Sequence, residues 1–115
     1  MKLGVVTEFD AAHLLPGYQG KCARLHGHTY QVEIVVQGEV GENGFVMDFY
    51  QLKKIIARSL EDLDHSYLND ILPNPTAETI AGWLSDRLNM DLEGTGVRLF
   101  SLKLWEGKNK WVMID

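Results

Sequence analysis

The chain has one cysteine, Cys22, so no disulfide can form within it. It has three prolines, and two of them, Pro73 and Pro75, mark a turn over residues 69–75. No apolar run approaches the roughly 20 residues that a membrane span needs. The start, Met1 to Glu8, lacks the apolar stretch of a signal peptide. A cytoplasmic protein with no membrane partner is therefore expected. Basic residues are also few: 11 against 16 acidic ones, for a net charge of −5. That argues against a nucleic-acid partner, which requires a basic face. It leaves room for a small anionic substrate held in a local basic pocket.

What is present suits one folded unit. The 115 residues, 45% of them apolar, match a single domain over residues 1–115 with an ordinary core. A core of this size gives modest stability alone, so association with further copies is expected. No repeat or low-complexity tract interrupts the chain.

Hydrophobic periodicity orders the elements as strand, strand, helix, helix, strand, strand. Over residues 3–13, Leu3, Val5, Phe9 and Ala11 share one face, with Glu8 and Asp10 opposite. Over residues 26–37, Tyr30, Val32, Ile34 and Val36 alternate with Gln31, Glu33 and Gln37. Residues 41–44 are a turn. A helix is predicted from Asp48, with Gln51 completing a capping box and Phe49, Leu52, Ile55, Ile56 and Leu60 as its apolar stripe. A second helix follows Thr76, with Ala77, Ile80, Ala81, Leu84 and Leu88 facing inward. Residues 97–105 are a strand, residues 107–109 a hairpin turn and residues 111–114 a last strand. The fold class is α+β: a four-stranded antiparallel sheet with two helices on one face.

Three histidines fall at strand ends. His26 and His28 are two residues apart, so on a strand both point to one face, the face of Tyr30 and Val32. His13 shares the parity of Val5, Phe9 and Ala11. All three then point inward. Three inward neutral imidazoles are hard to satisfy by ordinary hydrogen bonds, and a divalent metal satisfies them together. Three nitrogen ligands with an open fourth position is the pattern of catalytic zinc. A His-x-His pair alone is a weak motif; the matched third histidine gives the reading its weight.

Cys22 lies four residues before His26, in a loop that also carries Lys21 and Arg24. Next to a metal and basic side chains, a cysteine is disposed to react as its thiolate. A fourth ligand, a nucleophile and a general base all fit it, as does a plain buried side chain. Lys21 and Arg24 suit substrate phosphates or solvated loop charges equally. Asp64 and His65 adjoin the end of the first helix, where they either serve proton transfer or merely end the helix. Glu106 closes an apolar row read as Phe100, Leu102 and Leu104. A carboxylate there calls for a partner with paired N–H donors, unless the strand has already left the core.

Read together, these segments resemble the 6-pyruvoyl-tetrahydropterin synthase family over nearly the whole chain. They are Phe9-Asp10-Ala11-Ala12-His13, Cys22-Ala23-Arg24-Leu25-His26-Gly27-His28, Phe45-Val46-Met47-Asp48-Phe49, Leu63-Asp64-His65, Leu68-Asn69, Asn74-Pro75-Thr76-Ala77-Glu78 and Trp105-Glu106. Each is weak, but the ordered set is specific. The resemblance implies the tunnelling fold, or T-fold, in which trimers close their sheets into a barrel and pair into hexamers. It implies one zinc ion per subunit on His13, His26 and His28, and Cys22 as the catalytic thiol. It implies a proton relay of Asp64 and His65 supplied by a neighbouring subunit. Glu106 would anchor the pterin's amino-pyrimidinone edge, with the Thr76 segment near it. Gly107 departs from the family, where a threonine is common. The short spacing from Cys22 to His26 resembles the 6-carboxytetrahydropterin synthase branch. That implies cleavage of 7,8-dihydroneopterin triphosphate to 6-carboxytetrahydropterin, acetaldehyde and triphosphate, on the route to queuosine and archaeosine. The alternatives are 6-pyruvoyl-tetrahydropterin formation without carbon–carbon cleavage, and a non-catalytic zinc-stabilised interaction domain.

Overall fold

A computed structural model describes residues 1–115. Two long strands form its frame. β1 (Lys2–His13) pairs antiparallel with β2 (His26–Gln37) along its whole length, from Lys2 opposite Gln37 to His13 opposite His26. The parity expected from the sequence is realised: Val5, Phe9, Ala11, Tyr30, Val32, Ile34 and Val36 are buried on one face. The same alternation carries His13, His26 and His28 onto the core side at one end of the sheet.

Helix α1 (Phe49–Leu60) begins at Asp48, whose carboxylate accepts from the Tyr50 N–H at 2.8 Å. That bond replaces the reciprocal capping box, and Gln51 stays exposed. Leu52, Ile56 and Leu60 are buried, whereas Phe49 is 50% exposed and drops out of the expected stripe. Helix α2 (Ala77–Asp91) starts at Thr76, whose hydroxyl accepts from the Thr79 N–H at 3.2 Å. Its Ile80, Ala81, Leu84 and Leu88 join α1 and the inward sheet residues in one core. Both helices thus cover the same face.

β4 (Arg98–Glu106) pairs antiparallel with β2, and β5 (Trp111–Ile114) with β4. A bulge corrects the expected face of β4. Val35 stands opposite Ser101 but Val36 opposite Leu99, so Phe100 is an extra residue. Parity reverses there: Leu99, Leu102 and Leu104 pack inward, while Phe100 is 39% exposed beneath the Lys2 ammonium. Glu106 keeps its inward place.

With a two-residue β3 (Ser66–Tyr67) the sheet has five strands, not four, in the order β3-β1-β2-β4-β5, and it is mixed. β3 runs parallel to β1 against Ala11 and Ala12. Two residues carry no alternation pattern, so hydrophobic periodicity has nothing to detect there. No helix is long and apolar enough to cross a membrane.

Candidate active site

The strand register builds the centre of the site. His13 faces His26 across the ladder, and His28 faces Ala11. The three rings meet edge to face with centroids 4.6, 5.1 and 4.8 Å apart. Two main-chain carbonyls set the tautomers. His13 Nδ1 donates to the Pro75 carbonyl at 2.7 Å, and His26 Nδ1 donates to the Arg24 carbonyl at 2.7 Å. Both Nε2 atoms are then lone-pair acceptors, and they face each other at 3.0 Å. The buried Nε2 of His28 has no hydrogen-bond partner. Two converging lone pairs and an orphaned third nitrogen are poorly satisfied by the protein alone. They suit a divalent cation, and the ring nitrogens lie within 4.8 Å of one another. The carbonyls are the outer contacts that orient imidazole ligands. Burial holds the His28 pKa below the ordinary imidazole value. The Glu106 carboxylate opposes this, and His13, His26 and Lys110 add to it. A neutral His28 is the form that ligates metal.

Glu106 lies beside this cluster, its Oε1 3.6 Å from His28 Nε2, and is 17% exposed. Across the ladder stands Tyr30, fully buried, with its hydroxyl 3.4 Å from His13 Nδ1. Burial raises the Tyr30 pKa, with Glu106 adding to the effect, so the hydroxyl stays neutral. Cys22, Thr76 and Glu106 line one cleft of about 470 Å³ with Tyr18, Ala77 and Lys110. Cys22 is half-buried in a short 3-10 turn, Lys21–Ala23, and its carbonyl accepts from the Leu15 N–H at 2.8 Å. Asn69 ties the loop to the body: its side chain accepts from the Leu14 N–H at 3.0 Å and donates to the Leu14 carbonyl at 2.9 Å.

Asp64 and His65 lie outside that cleft. His65 Nδ1 donates to Asp64 Oδ1 at 2.9 Å, and the Asp10 N–H donates to that same oxygen at 3.1 Å. The Asp10 N–H holds the Asp64 carboxyl below the usual carboxylate range; desolvation opposes it and His65 adds to it. His65 has φ +56, a left-handed conformation unfavourable for a residue with a Cβ, and its N–H is held by the Asp10 carbonyl at 2.6 Å. His65 is 78% exposed and lines an open groove of about 550 Å³ with Asp10, Ala12, Gly27, His28 and Thr29. Cys22 does not line that groove.

The family model described as 6-pyruvoyl tetrahydropterin synthase matches residues 2–115. The chain belongs to this family. Among relatives of the synthase family, the chain is 45% identical to a dihydroneopterin monophosphate aldolase of Pyrococcus furiosus, over 95% of this chain and 92% of that protein. It is 38% identical to a putative 6-carboxy-5,6,7,8-tetrahydropterin synthase of Archaeoglobus fulgidus, over 99% and 95%. It is 43% identical to the 6-carboxy-5,6,7,8-tetrahydropterin synthase of Synechocystis, over 70% and 68%. The solved structure of 6-pyruvoyl tetrahydropterin synthase from Caenorhabditis elegans superposes with a TM-score of 0.87 at 24% identity, covering 99% of this chain and 94% of that one. The last likeness establishes the fold.

Within this family fold, the candidate residues separate into two groups. His13, His26, His28, Cys22, Thr76 and Glu106 converge, while Asp64 and His65 form a second station. Lys21 and Arg24 are exposed and line neither the cleft nor the groove; Arg24 reaches the cluster through its carbonyl only. Sequence reasoning missed Asn69 as the loop anchor, the Pro75 and Arg24 carbonyls, the Tyr30 hydroxyl and Lys110. Carbonyl groups carry no residue signature, and Tyr30 reads as plain core. Asn69 was the detectable one, a polar residue between the buried Leu68 and a turn.

Proposed function

We propose that the chain is a zinc-dependent pterin side-chain lyase of the 6-carboxytetrahydropterin synthase type. Its substrates would be 7,8-dihydroneopterin triphosphate and one water, which supplies the second carboxyl oxygen, and its products 6-carboxytetrahydropterin, acetaldehyde and triphosphate. The observation that carries this reading is the single cleft in which a thiol, a low-exposure carboxylate and a capped helix start meet beside three convergent imidazoles. A divalent cation on His13, His26 and His28 would supply Lewis-acid polarisation of the substrate's side-chain oxygens. Glu106 accepts the paired N–H donors of the pterin edge and so orients the side chain toward Cys22. Thr76 borders the same edge. Cys22 takes a proton from the side chain, and His65, oriented by Asp64, returns or removes another.

Because His65, with Asp64 bonded to it, lines a different groove from Cys22, the reading places the relay in trans, from a neighbouring copy. A homotrimer or a pair of trimers fits that requirement. Lys21 and Arg24 become phosphate contacts only if the triphosphate extends out of the cleft over their loop.

A second reading is favoured by the 45% identity to the Pyrococcus furiosus protein. An aldolase on dihydroneopterin monophosphate breaks the bond between the first two side-chain carbons, with a proton replacing the lost fragment on the pterin side. The same acid–base set serves that cleavage. Incubation of the zinc-loaded protein with each phosphate ester, with products identified by mass, separates the readings. Acetaldehyde from the triphosphate supports the first. A phosphorylated two-carbon aldehyde from the monophosphate supports the second. A 6-pyruvoyl product would move the chain to the elimination without cleavage. No turnover by metal-loaded protein would leave the zinc-stabilised domain.

A further inference from the structure

The cleft contains one cation that no step above uses. Lys110 Nζ lies 4.0 Å from Glu106 Oε1, on a side chain 65% exposed. The β4–β5 hairpin sets this placement. The Glu106 N–H donates to the Lys110 carbonyl at 3.0 Å, and Gly107, at φ +75, makes the tight turn between them. Both side chains therefore leave the same hairpin mouth, and both line the cleft.

At 4.0 Å the two are closer to loose neighbours than to a hydrogen-bonded ion pair, which closes to about 2.7–2.9 Å. The other neighbour of Glu106, His28 Nε2, stands 3.6 Å from the same Oε1, also beyond hydrogen-bond length, and makes no hydrogen bond. The cleft thus presents, side by side, a carboxylate with two acceptor oxygens and an ammonium donor with hydrogen-bonding capacity to spare. A planar ring edge with two adjacent N–H donors followed by a carbonyl acceptor complements that order. The 2-amino-4-oxo edge of a pterin has this pattern in its 2-amino group, N3–H and O4.

We propose that Lys110 is a specificity-determining residue that donates to the pterin O4 while Glu106 accepts from the 2-amino group and N3–H. This deepens the pterin reading above and rests on it. A 4-amino ring offers a donor where the ammonium needs an acceptor, so it leaves a charged group unpaired and is rejected.

The test is fluorescence titration of the full-length, zinc-loaded protein with neopterin, neopterin monophosphate and a 2,4-diaminopteridine. Wild type prefers the 4-oxo ligands. Lys110→Met weakens neopterin by about tenfold and erodes the preference over the diamino ring. Lys110→Arg, which keeps the donor, retains most of that preference. Unchanged affinity and preference in Lys110→Met would overturn the assignment. So would a loss confined to the phosphorylated ligand, because that places the lysine on phosphate. A wild-type protein that binds none of the three ligands defeats the pterin reading itself, and Lys110's role with it.

Discussion

Cys22 is the residue on which the proposed chemistry turns, and its replacement separates chemistry from architecture. Cys22→Ala is expected to lower kcat by about 100-fold or more, the range typical of lost acid–base groups. Zinc content and melting temperature should stay near wild type, because the thiol is half-buried and lies outside the core. Retained turnover in a variant with normal metal content would remove Cys22 from the mechanism. The histidines predict a pH signature. With its folded-state pKa depressed by burial, His28 binds fewer protons folded than unfolded near the ordinary imidazole value of about 6.5. Its contribution to apoprotein stability is present above that value and lost as pH falls through the folded one. Metal needs the same neutral ring, so the melting-temperature gap between zinc-loaded and chelator-stripped protein should close as pH drops from about 7.5 to about 5.5. Calorimetry of both forms across that range checks it. At neutral pH, stripping should abolish turnover while far-ultraviolet dichroism persists, since the sheet ladders hold without the ion.

At the scale of elements, the loop between β1 and β2 depends on a contact from a remote turn. Asn69 satisfies both main-chain groups of Leu14 and so fixes the start of the segment carrying Cys22. Asn69→Leu leaves that N–H and carbonyl unpaired in a half-buried setting, at a cost of about 1–3 kcal/mol. Thermal melts should register that loss, and kcat should fall more steeply than bound zinc, because His13 and His26 keep their own carbonyl partners. A variant with lowered stability but full kcat would show that the loop holds its shape unaided. The bulge in β4 belongs to this scale too. Leu102 and Leu104 sit at the parity expected for them, but the extra Phe100 breaks the count and sends its own ring outward. An alternation rule carried through nine residues has no means of registering an inserted one.

The whole molecule poses the question of where its second proton-transfer pair acts. His65, bonded to Asp64, lines a groove on the sheet that shares no lining residue with the cleft holding Cys22 and Glu106. If the relay works in trans, Cys22→Ala and His65→Ala should each be nearly inactive alone. Mixed and allowed to exchange subunits, they should recover about a quarter of wild-type activity, the statistical share of interfaces with both groups intact. No recovery, in mixtures shown by mass to have exchanged, would place the pair's role within one chain. β1 favours such assembly: its outer edge is covered by β3 only at Ala11 and Ala12, and an open edge is a template for pairing.

The amino-acid sequence by itself determined the α+β class, the two long paired strands, the starts of both helices and the inward direction of three histidines. Each follows from a local rule, since alternation and helical spacing are set by backbone geometry that every residue shares. It also carried the ordered motifs that mark the family. Only the tertiary structure decided the rest. The two-residue β3 exists because β1 offers it an edge. The bulge at Phe100 exists because β2 and β4 must both bury their apolar faces. The Pro75 and Arg24 carbonyls orient the imidazoles, and the β4–β5 turn brings Lys110 beside Glu106. These features rest on main-chain groups and on contacts between distant segments, which have no residue-level signature until the chain is folded.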